Sequence, residues 1–354
     1  MERQLTVGSL FAGIGGFDLG FERAGFRVKW ACEIDPHAQA VLRARFPHTR
    51  IVGDITQFQP VDDDRVDIVV GGFPCQDVST AGLRAGLAGA RSGLFYDAMR
   101  IVRRLRPEIV VVENVVGLLS SNRGADFATV VREMADGWDC SEVCWRVLDS
   151  RYFRVAQRRR RVFIVASRRI GRAEQILDFT SCGGRRASAG RKARKENPNG
   201  TAPSVGTNSN PAGIVAVDLY NTDITEGASP TVTTACGIVN ATGPKVGVGF
   251  PVFGIDRDRN CTVDHFGTLQ AGARSHQFTA YGGKVRQITP VEAERLQGFP
   301  DGWTDVGPPG RPTANTHRYR QCGNAVTVNV AEWLARNAAR ALSQQSCRNL
   351  SNGR

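Results

Sequence analysis

The feature that most limits the fold of this chain is the alternation of short apolar runs with helical segments. The apolar runs are predicted strands and cover residues 5–11, 26–32, 50–52, 66–70, 107–112, 144–148 and 161–166. Predicted helices lie between them, at residues 18–24, 37–45, 94–105 and 127–134. Alternating strands and helices favour a parallel sheet, because a parallel connection needs a crossover that a helix supplies. We therefore predict an α/β fold.

A glycine turn follows the first apolar run and opens the first helix. Gly13 and Gly15 lie in this turn, and Glu33 follows the second apolar run about twenty positions later. Glycines let the backbone approach a ligand closely, and a carboxylate at this place can hold ribose hydroxyls. Asp18 stands where a dinucleotide site has a further glycine. The pattern therefore disfavours NAD and favours a smaller adenosine cofactor without a pyrophosphate.

Cys75 follows Pro74 just past the apolar run 66–70, in a stretch that is rich in glycine. This position suits a nucleophile, although a free buried cysteine usually behaves as a small hydrophobic residue. Residues 83–92, with glycines at positions 82, 86, 89 and 93, are too rich in glycine for a stable helix or strand and indicate a mobile lid beside the cysteine. The residues alone leave both interpretations of Cys75 open.

Charged residues stand next to other predicted strands. Glu113 ends an all-apolar run, where it fits either a cap on the next turn or a catalytic acid. Arg159 and Arg161 alternate, so their side chains point the same way. They fit contacts with a base or with phosphates, or a solvated face. Asp54, in the turn after residues 50–52, fits either a partner of an adenine amine or a local cap.

The composition narrows the class of protein. The chain has 354 residues, of which 41% are hydrophobic and 23% charged, and this suits a globular protein of two domains. Its formal net charge of +12 indicates a polyanionic partner. Nine scattered cysteines without a Cys-x-x-Cys pair indicate a reducing cytosol, no disulfide framework and no zinc site. We expect neither a membrane span nor a signal peptide.

The second half of the chain has a different character. Residues 181–213 are rich in Gly, Ser, Asn and Pro and predict a linker or flexible insert. Residues 214–288 hold short apolar runs broken by Gly and Thr, which predicts a small, loop-rich β region. Residues 321–334 predict a loop that leads into an amphipathic helix.

Six motifs occur along the chain: Ser9-Leu-Phe-Ala-Gly-Ile-Gly-Gly-Phe17, Gly72-Phe-Pro-Cys-Gln76, Glu113-Asn-Val115, Gln157-Arg-Arg-Arg-Arg161, Arg295-Leu-Gln-Gly-Phe-Pro300 and Gly323-Asn-Ala-Val326. In this order they resemble the motifs of DNA (cytosine-5)-methyltransferases of the bacterial or phage type. The resemblance runs from the first strand to the last helix. It implies a Rossmann-like S-adenosylmethionine-dependent methyltransferase sheet with helices on both faces. It also implies a smaller loop-rich β target-recognition domain.

The resemblance implies a mechanism on cytosine and assigns its residues. Cys75 would add to carbon 6 of the base, and carbon 5 would then take a methyl group. Glu113 would hold ring nitrogen 3 and the exocyclic amine, and Arg161 would contact the carbonyl at carbon 2. Arg159 would lie close to Cys75 and the flipped nucleotide. The base must leave the duplex stack, at a cost of a few kcal/mol.

The same resemblance implies S-adenosyl-L-methionine as the cofactor, without a metal. The residues that would bind it are Phe11, Gly13, Gly15, Glu33, Ile34, Asp54, Ile55, Pro74, Leu94, Asn324 and Val326. Ala325 departs from the family pattern, in which serine is common, and the loss of one hydroxyl should matter little. Asn324 and Val326 return from the end of the chain to the glycine turn, so the catalytic domain must be discontinuous.

We therefore expect a catalytic, cofactor-binding domain from residues 1–167 and 313–354, and a target-recognition domain from residues 168–312. Gln76, Ser79, Thr268 and Leu269 are the candidate DNA-binding residues. The expected partner is double-stranded DNA, with a restriction endonuclease as a functional partner. We expect a monomer in the cytoplasm, associated with the nucleoid through DNA.

Two alternatives remain within the resemblance. A methyltransferase acting on tRNA cytosine shares most of the motifs, but that branch usually carries a Cys-Phe-Thr tripeptide in its variable region, and this chain has none. A non-catalytic DNA-binding relative is disfavoured because Cys75, Glu113 and both arginines are intact.

Overall fold

The computed structural model describes residues 3–74, 93–179, 215–218, 253–255, 261–263, 278–281, 284–309 and 313–351. Eight strands form the main sheet: β1 (Thr6–Leu10), β2 (Arg27–Cys32), β3 (Arg50–Val52), β4 (Ile68–Gly71), β5 (Ile109–Val115), β6 (Glu142–Asp149), β7 (Arg160–Ser167) and β8 (Val215–Asp218). Their order in the sheet is β3-β2-β1-β4-β5-β7-β6-β8. The order reverses direction between β1 and β4, which is where open α/β sheets bind ligands.

The sheet is parallel from β3 through β5, as the alternation of strands and helices predicts. β7 is the exception, because it runs antiparallel to both β5 and β6. Ten residues, including a 3-10 turn at Ser150–Phe153, join β6 to β7, which is fewer than the dozen or more that a parallel crossover needs. The predicted parallel sheet is thus mixed at its far edge, while the predicted α/β class is confirmed.

The described residues also contain eight α-helices: α1 (Gly16–Arg23), α2 (Pro36–Arg45), α3 (Gly93–Leu105), α4 (Ala125–Ala135), α5 (Arg172–Leu177), α6 (Pro290–Leu296), α7 (Asn315–Asn324) and α8 (Val328–Ser351). Local signals explain where several begin. Asp35 caps α2 by accepting a hydrogen bond from the backbone N–H of His37 at 2.9 Å, and Pro36 stands in the first turn. Thr289 and Glu292 form a capping box at the start of α6.

The helices cover both faces of the sheet, and the alternation of side chains along β5 shows how. Val110 and Val112 pack on one face with residues of α3 and α4. Ile109 and Val111 pack on the other face with residues of α1, α5 and α8. α1 and α8 approach closely, since a Cβ built at Gly20 would lie 2.6 Å from the Cβ of Ala331. Burial on both faces explains the continuous apolar runs of the sequence.

A third cluster of buried residues joins the glycine turn to later parts of the chain. Ile14, beside the turn, packs with residues of α2, with Leu296 of α6 and with Trp303. The indole N–H of Trp303 donates to the carbonyl of Ile14 at 2.8 Å. This packing brings residues within the range 168–312 against the main sheet. The proposed boundaries between the two domains stay a prediction.

A second, smaller sheet contains β9 (Phe253–Ile255), β10 (Cys261–Val263), β11 (Phe278–Tyr281) and β12 (Lys284–Gln287), in the order β10-β9-β11-β12. Its strands pair antiparallel and are three or four residues long. These short strands fall in the segment for which the sequence predicts a loop-rich β region.

The sequence did not predict α5, α6 or α7. Residues 315–324 form α7, whose last residues fall in the loop predicted from residue 321, and the chain then breaks at Ala325 before α8. The helix is polar, with few apolar positions to mark a period. Its place depends on Arg318, whose guanidinium donates to the buried carboxylate of Glu294 on α6 at 2.9 Å. That contact joins residues 24 positions apart and leaves no local signal.

Candidate active site

The glycine turn after β1 has the backbone shape of a ligand-binding loop. Phe11, Gly13 and Gly15 all have positive φ angles, of 53°, 56° and 83°. Such an angle is uncommon for a phenylalanine and marks backbone held by its surroundings. A Cβ built at Gly13 would meet nothing within 4 Å, whereas one at Gly16 would lie 2.6 Å from the carbonyl oxygen of Val326. The turn therefore faces open space on one side and the end of α7 on the other.

Glu33, at the carboxyl end of β2, reaches across to this turn. Its carboxylate accepts hydrogen bonds from the backbone N–H groups of Gly13 at 2.7 Å and Asp35 at 2.8 Å. Burial raises the pKa of the Glu33 carboxyl, and those two hydrogen bonds oppose the rise. The next residue, Ile34, is 69% exposed. The structure thus brings an acid, an exposed aliphatic side chain and the open face of the turn together.

Asp54 and Ile55 lie in the turn after β3. The carboxylate of Asp54 accepts a hydrogen bond from the backbone N–H of Thr56 at 2.9 Å. This contact is a local cap, which is one of the two alternatives that the sequence allows for Asp54. Ile55 is buried in the core beside α3. Their proposed contacts with adenine stay a prediction.

Glu113 and Arg161 meet where β5 and β7 pair. Arg161 lies opposite Val115 in the ladder, and its Nε is 3.0 Å from Oε1 of Glu113. Both side chains are mostly buried, with 16% of Arg161 and 14% of Glu113 exposed. This contact is an ion pair without hydrogen-bond geometry, since Oε1 has no hydrogen-bond partner. Oε1 of Glu113 is therefore a buried acceptor that receives no hydrogen bond within the described residues.

Gly72 and Asn114 connect Glu113 to the segment that leads to Cys75. A Cβ built at Gly72 would lie 3.0 Å from Oε2 of Glu113, so glycine leaves room for the carboxylate. The amide of Asn114 donates to the carbonyl of Phe73 at 3.3 Å. Phe73 also packs on Phe95 of α3, with ring centroids 4.8 Å apart. Pro74 and Leu94 are half-buried on either side of residues 75–92.

Several predicted site residues lie outside the part of the chain that the structure describes. They are Cys75, Gln76, Ser79, Thr268 and Leu269, together with the glycine-rich run 83–92. Their roles stay predictions.

Arg159 lies deeper than Arg161, with 3% of its surface exposed. Its Nη2 donates to the carbonyls of Gly323 and Ala325, both at 3.0 Å. Burial and the neighbouring charge of Arg161 together lower the pKa of Arg159 to about 9, against the opposing effect of the Glu113 charge, so the guanidinium stays charged at neutral pH. The sequence predicts that Arg159 lies near Cys75, and that contact stays a prediction.

The junction between α7 and α8 carries Asn324 and Val326. Asn324 is exposed at the end of α7, and Val326 is buried against Gly16. Gln297, which follows α6, donates from Nε2 to the carbonyl of Cys322 at 2.7 Å and accepts from Thr327 Oγ1 at 2.9 Å. Sequence reasoning assigned no role to Gln297 or Asn114. The signal was available, because each stands inside a motif that carries the family resemblance.

No helix in the described part of the chain is long and apolar enough to cross a membrane. The same residues contain no group of three or more His, Cys, Asp or Glu side chains that could hold a metal ion.

Solved structures with a similar fold are methyltransferases. A prophage-encoded DNA modification methyltransferase of E. coli aligns with a TM-score of 0.59 and 21% identity, over 96% of this chain and 100% of that one. The Dnmt2 methyltransferase of S. pombe aligns with a TM-score of 0.59 and 15% identity, over 96% of this chain and 99% of that one. At these identities the likeness concerns the fold alone.

Proteins with similar sequences indicate which kind of methyltransferase this chain is. The Type II methyltransferase M.NlaX of Neisseria lactamica is 31% identical, over 96% of this chain and 97% of its own length. The Type II methyltransferase M2.BsuMI of Bacillus subtilis is 30% identical, over 94% of this chain and 75% of its own length. The sequence profile of the C-5 cytosine-specific DNA methylases matches residues 5–340. The chain therefore belongs to the C-5 cytosine-specific DNA methylase family, and it is a DNA cytosine methyltransferase.

Proposed function

We propose that Cys75 is the nucleophile for the target cytosine and that Glu113 and Arg161 bind that base. One observation carries the proposal: a mostly buried carboxylate and guanidinium meet at the edge of the sheet where the strand before Cys75 ends. A carboxylate and a guanidinium that are held together and mostly shielded from water can bind the polar edge of a base. Only two residues, Phe73 and Pro74, separate Gly72, which lies beside Glu113, from Cys75.

The proposed chemistry begins with addition of the Cys75 thiolate to carbon 6. This addition forms the sulfur–carbon bond and moves an electron pair towards carbon 5, which becomes nucleophilic. Glu113, holding ring nitrogen 3 and the exocyclic amine, stabilises the charge that develops in the ring. Arg161 holds the carbonyl at carbon 2. After methylation of carbon 5, loss of its proton and elimination of the thiolate restore the aromatic ring.

The family implies S-adenosylmethionine, which supplies an electrophilic methyl group when bound. The residues of the glycine turn fit such a group. Gly13 leaves open space where a side chain would stand, Glu33 offers a carboxylate for ribose hydroxyls, and Ile34 offers an exposed apolar surface for adenine. The residues proposed to complete the pocket are Phe11, Gly15, Asp54, Ile55, Pro74, Leu94, Asn324 and Val326.

We propose further that the base is flipped out of a specific duplex sequence. Gln76 and Ser79 would contact the DNA near the gap, and the glycine-rich run 83–92 would close over it. Thr268 and Leu269 would belong to the target-recognition domain at residues 168–312. A monomer that acts in the cytoplasm on chromosomal DNA, with a restriction endonuclease as functional partner, completes the proposal. The net charge of +12 supports a DNA partner.

The test is expression of the chain in a bacterial host without other cytosine methylation, followed by bisulfite sequencing of the host DNA. Wild-type protein should protect cytosines within one short sequence. Cys75→Ser should abolish methylation but keep affinity for S-adenosylhomocysteine in calorimetry. Cys347→Ser is the matched control, because Cys347 lies beyond the family match at residues 5–340, and it should methylate as the wild type does. Methylation by Cys75→Ser at the wild-type rate would exclude the covalent mechanism.

A further inference from the structure

The junction between α7 and α8 is held by two buried side chains from other parts of the chain. The last carbonyls of a helix have no partner within that helix and need donors from elsewhere. The backbone N–H of Ala325 donates to the carbonyl of Gln321 at 3.0 Å, and Gln297 supplies the donor for Cys322. Arg159 supplies the donors for Gly323 and Ala325. A cation at the end of a helix also interacts favourably with its dipole.

The two carbonyls that Arg159 binds are those on either side of Asn324. One residue later, the carbonyl of Val326 faces Gly16 at the start of α1. Holding the carbonyls of Gly323 and Ala325 therefore fixes how this segment meets the glycine turn. The contact spans 164 and 166 positions in the chain, so Arg159 is a long-range tie between β7 and the junction.

The same strand end also carries the base-binding pair. Arg159 and Arg161 flank Arg160, the first residue of β7, and Arg161 lies 3.0 Å from Glu113. One short stretch of backbone thus holds Glu113 through Arg161 and the junction through Arg159.

We propose that Arg159 is a positioning residue that couples the cofactor pocket to the base pocket. It acts by holding residues 323–326 at a set distance from Glu113 and Arg161. This inference rests on the proposed function of the two pockets. It replaces a direct contact of Arg159 with the cytosine by an action through the junction.

The chemistry of the side chain suggests a substitution. A single guanidinium nitrogen donates to both carbonyls, and the planar group is buried without losing its charge. Lysine keeps the charge, but its shorter reach and compact ammonium do not reproduce this geometry. Arg159→Lys should therefore loosen the junction while the protein still folds.

Binding to the free protein tests the proposal without relying on turnover. Calorimetry with S-adenosylhomocysteine and fluorescence anisotropy with a duplex that contains the target site give the two affinities separately. Arg159→Lys should weaken S-adenosylhomocysteine binding by about tenfold, as expected for loss of a buried charge-assisted hydrogen bond, and leave DNA binding unchanged. Arg161→Lys should leave S-adenosylhomocysteine binding unchanged and lower the methylation rate. Arg160→Lys, at the exposed position between them, is the matched control and should change neither affinity.

Unchanged S-adenosylhomocysteine affinity in Arg159→Lys, together with a lower methylation rate, would overturn the inference and favour direct contact with the cytosine. Absence of cytosine methylation in the wild type would instead refute the proposed function, whatever the affinities of the variants.

Wild-type protein provides a second measurement that does not depend on any variant folding. In amide hydrogen exchange, S-adenosylhomocysteine should slow exchange at residues 321–328 and also at residues 157–163. Protection of the junction alone, with no change at the start of β7, would contradict the coupling.

Discussion

On the glycine-turn side of the site, formed by residues 9–18 and Glu33, the carboxylates bind residues that are close in the chain. Glu33 accepts from Gly13 and Asp18 accepts from Ser9, at separations of 20 and 9 positions, while the long-range hydrogen bond of this side comes from Trp303 to the carbonyl of Ile14. The Glu113 side, formed by Gly72, Glu113, Asn114, Arg159 and Arg161, joins distant parts, and Arg159 binds carbonyls 164 and 166 positions away. Short separations leave patterns in a sequence, whereas long ones depend on the order of strands in the sheet. Substitutions on the two sides should therefore have different consequences.

The largest effect is expected on the Glu113 side. Glu113→Gln keeps the shape of the side chain but loses its charge. We expect methyl transfer in a single turnover to fall by at least about a hundredfold, as is typical for loss of a group that stabilises charge developing in the transition state. Binding of S-adenosylhomocysteine should not change.

Glu133→Gln is the matched control for this substitution. Glu133 lies on α4, where its carboxylate binds Arg103 at 2.6 Å, away from the site residues. It should transfer methyl groups at the wild-type rate. An equal loss of rate in the two variants would mean that Glu113 has no special role.

The next effect concerns stability on the glycine-turn side. Asp18 lies buried in the first turn of α1, accepts a hydrogen bond from Ser9 Oγ at 3.2 Å, and its Oδ1 has no hydrogen-bond partner. Burial raises the pKa of Asp18 from 3.8 to about 7. The folded state therefore keeps a proton that the unfolded state releases. The stabilisation of the folded state by this proton is fully present below the pKa that Asp18 has in the unfolded state. It is lost as the pH rises towards 7.

Asp18→Asn should remove this pH dependence, because asparagine resembles the protonated acid and does not titrate. The free energy of unfolding of Asp18→Asn relative to wild type should rise by about 1.4 kcal/mol for each pH unit between about pH 5 and about pH 7. Urea denaturation at several pH values measures it. A difference that stays constant with pH would show that Asp18 is ionised in the folded state throughout this range.

The smallest effect is expected from crowding the Glu113 carboxylate. Gly72→Ala places a Cβ 3.0 Å from Oε2 of Glu113, so the carboxylate must shift by a few tenths of an ångström. We expect the rate of methyl transfer to fall by about tenfold, since small displacements of positioned groups are costly in catalysis. Affinity for S-adenosylhomocysteine should stay the same. A weaker affinity would mean that the position of the Glu113 carboxylate also affects the cofactor pocket.

Gly93→Ala is the control for this substitution. A Cβ at Gly93 would meet nothing within 4 Å, so the same chemical change should leave the rate unchanged. If both variants lose rate equally, steric crowding at Glu113 is not the cause.

The contrast also explains which parts of the structure could be predicted. The glycine turn, α1 and Glu33 were predicted because their signals all lie within a few dozen residues. These signals are the periodicity of the apolar residues, the positions of the glycines and the spacing from the turn to Glu33. The capping box at Thr289 and Glu292 is a local signal as well, although α6 was not among the predicted helices. By contrast, α7 was missed, because its polar sequence is ordered by a bond from Arg318 to a buried acid on another helix.

Sequence alone determined the α/β class, the order of the motifs and the residue types at the strand ends. It did so because side-chain period and glycine placement act locally on the backbone. Only the tertiary structure decided that β7 runs antiparallel between β5 and β6. That placement brings Arg161 to Glu113 and turns Arg159 towards Gly323 and Ala325. Such contacts depend on the order in which strands distant in the chain are placed in one sheet. No local sequence pattern determines that order.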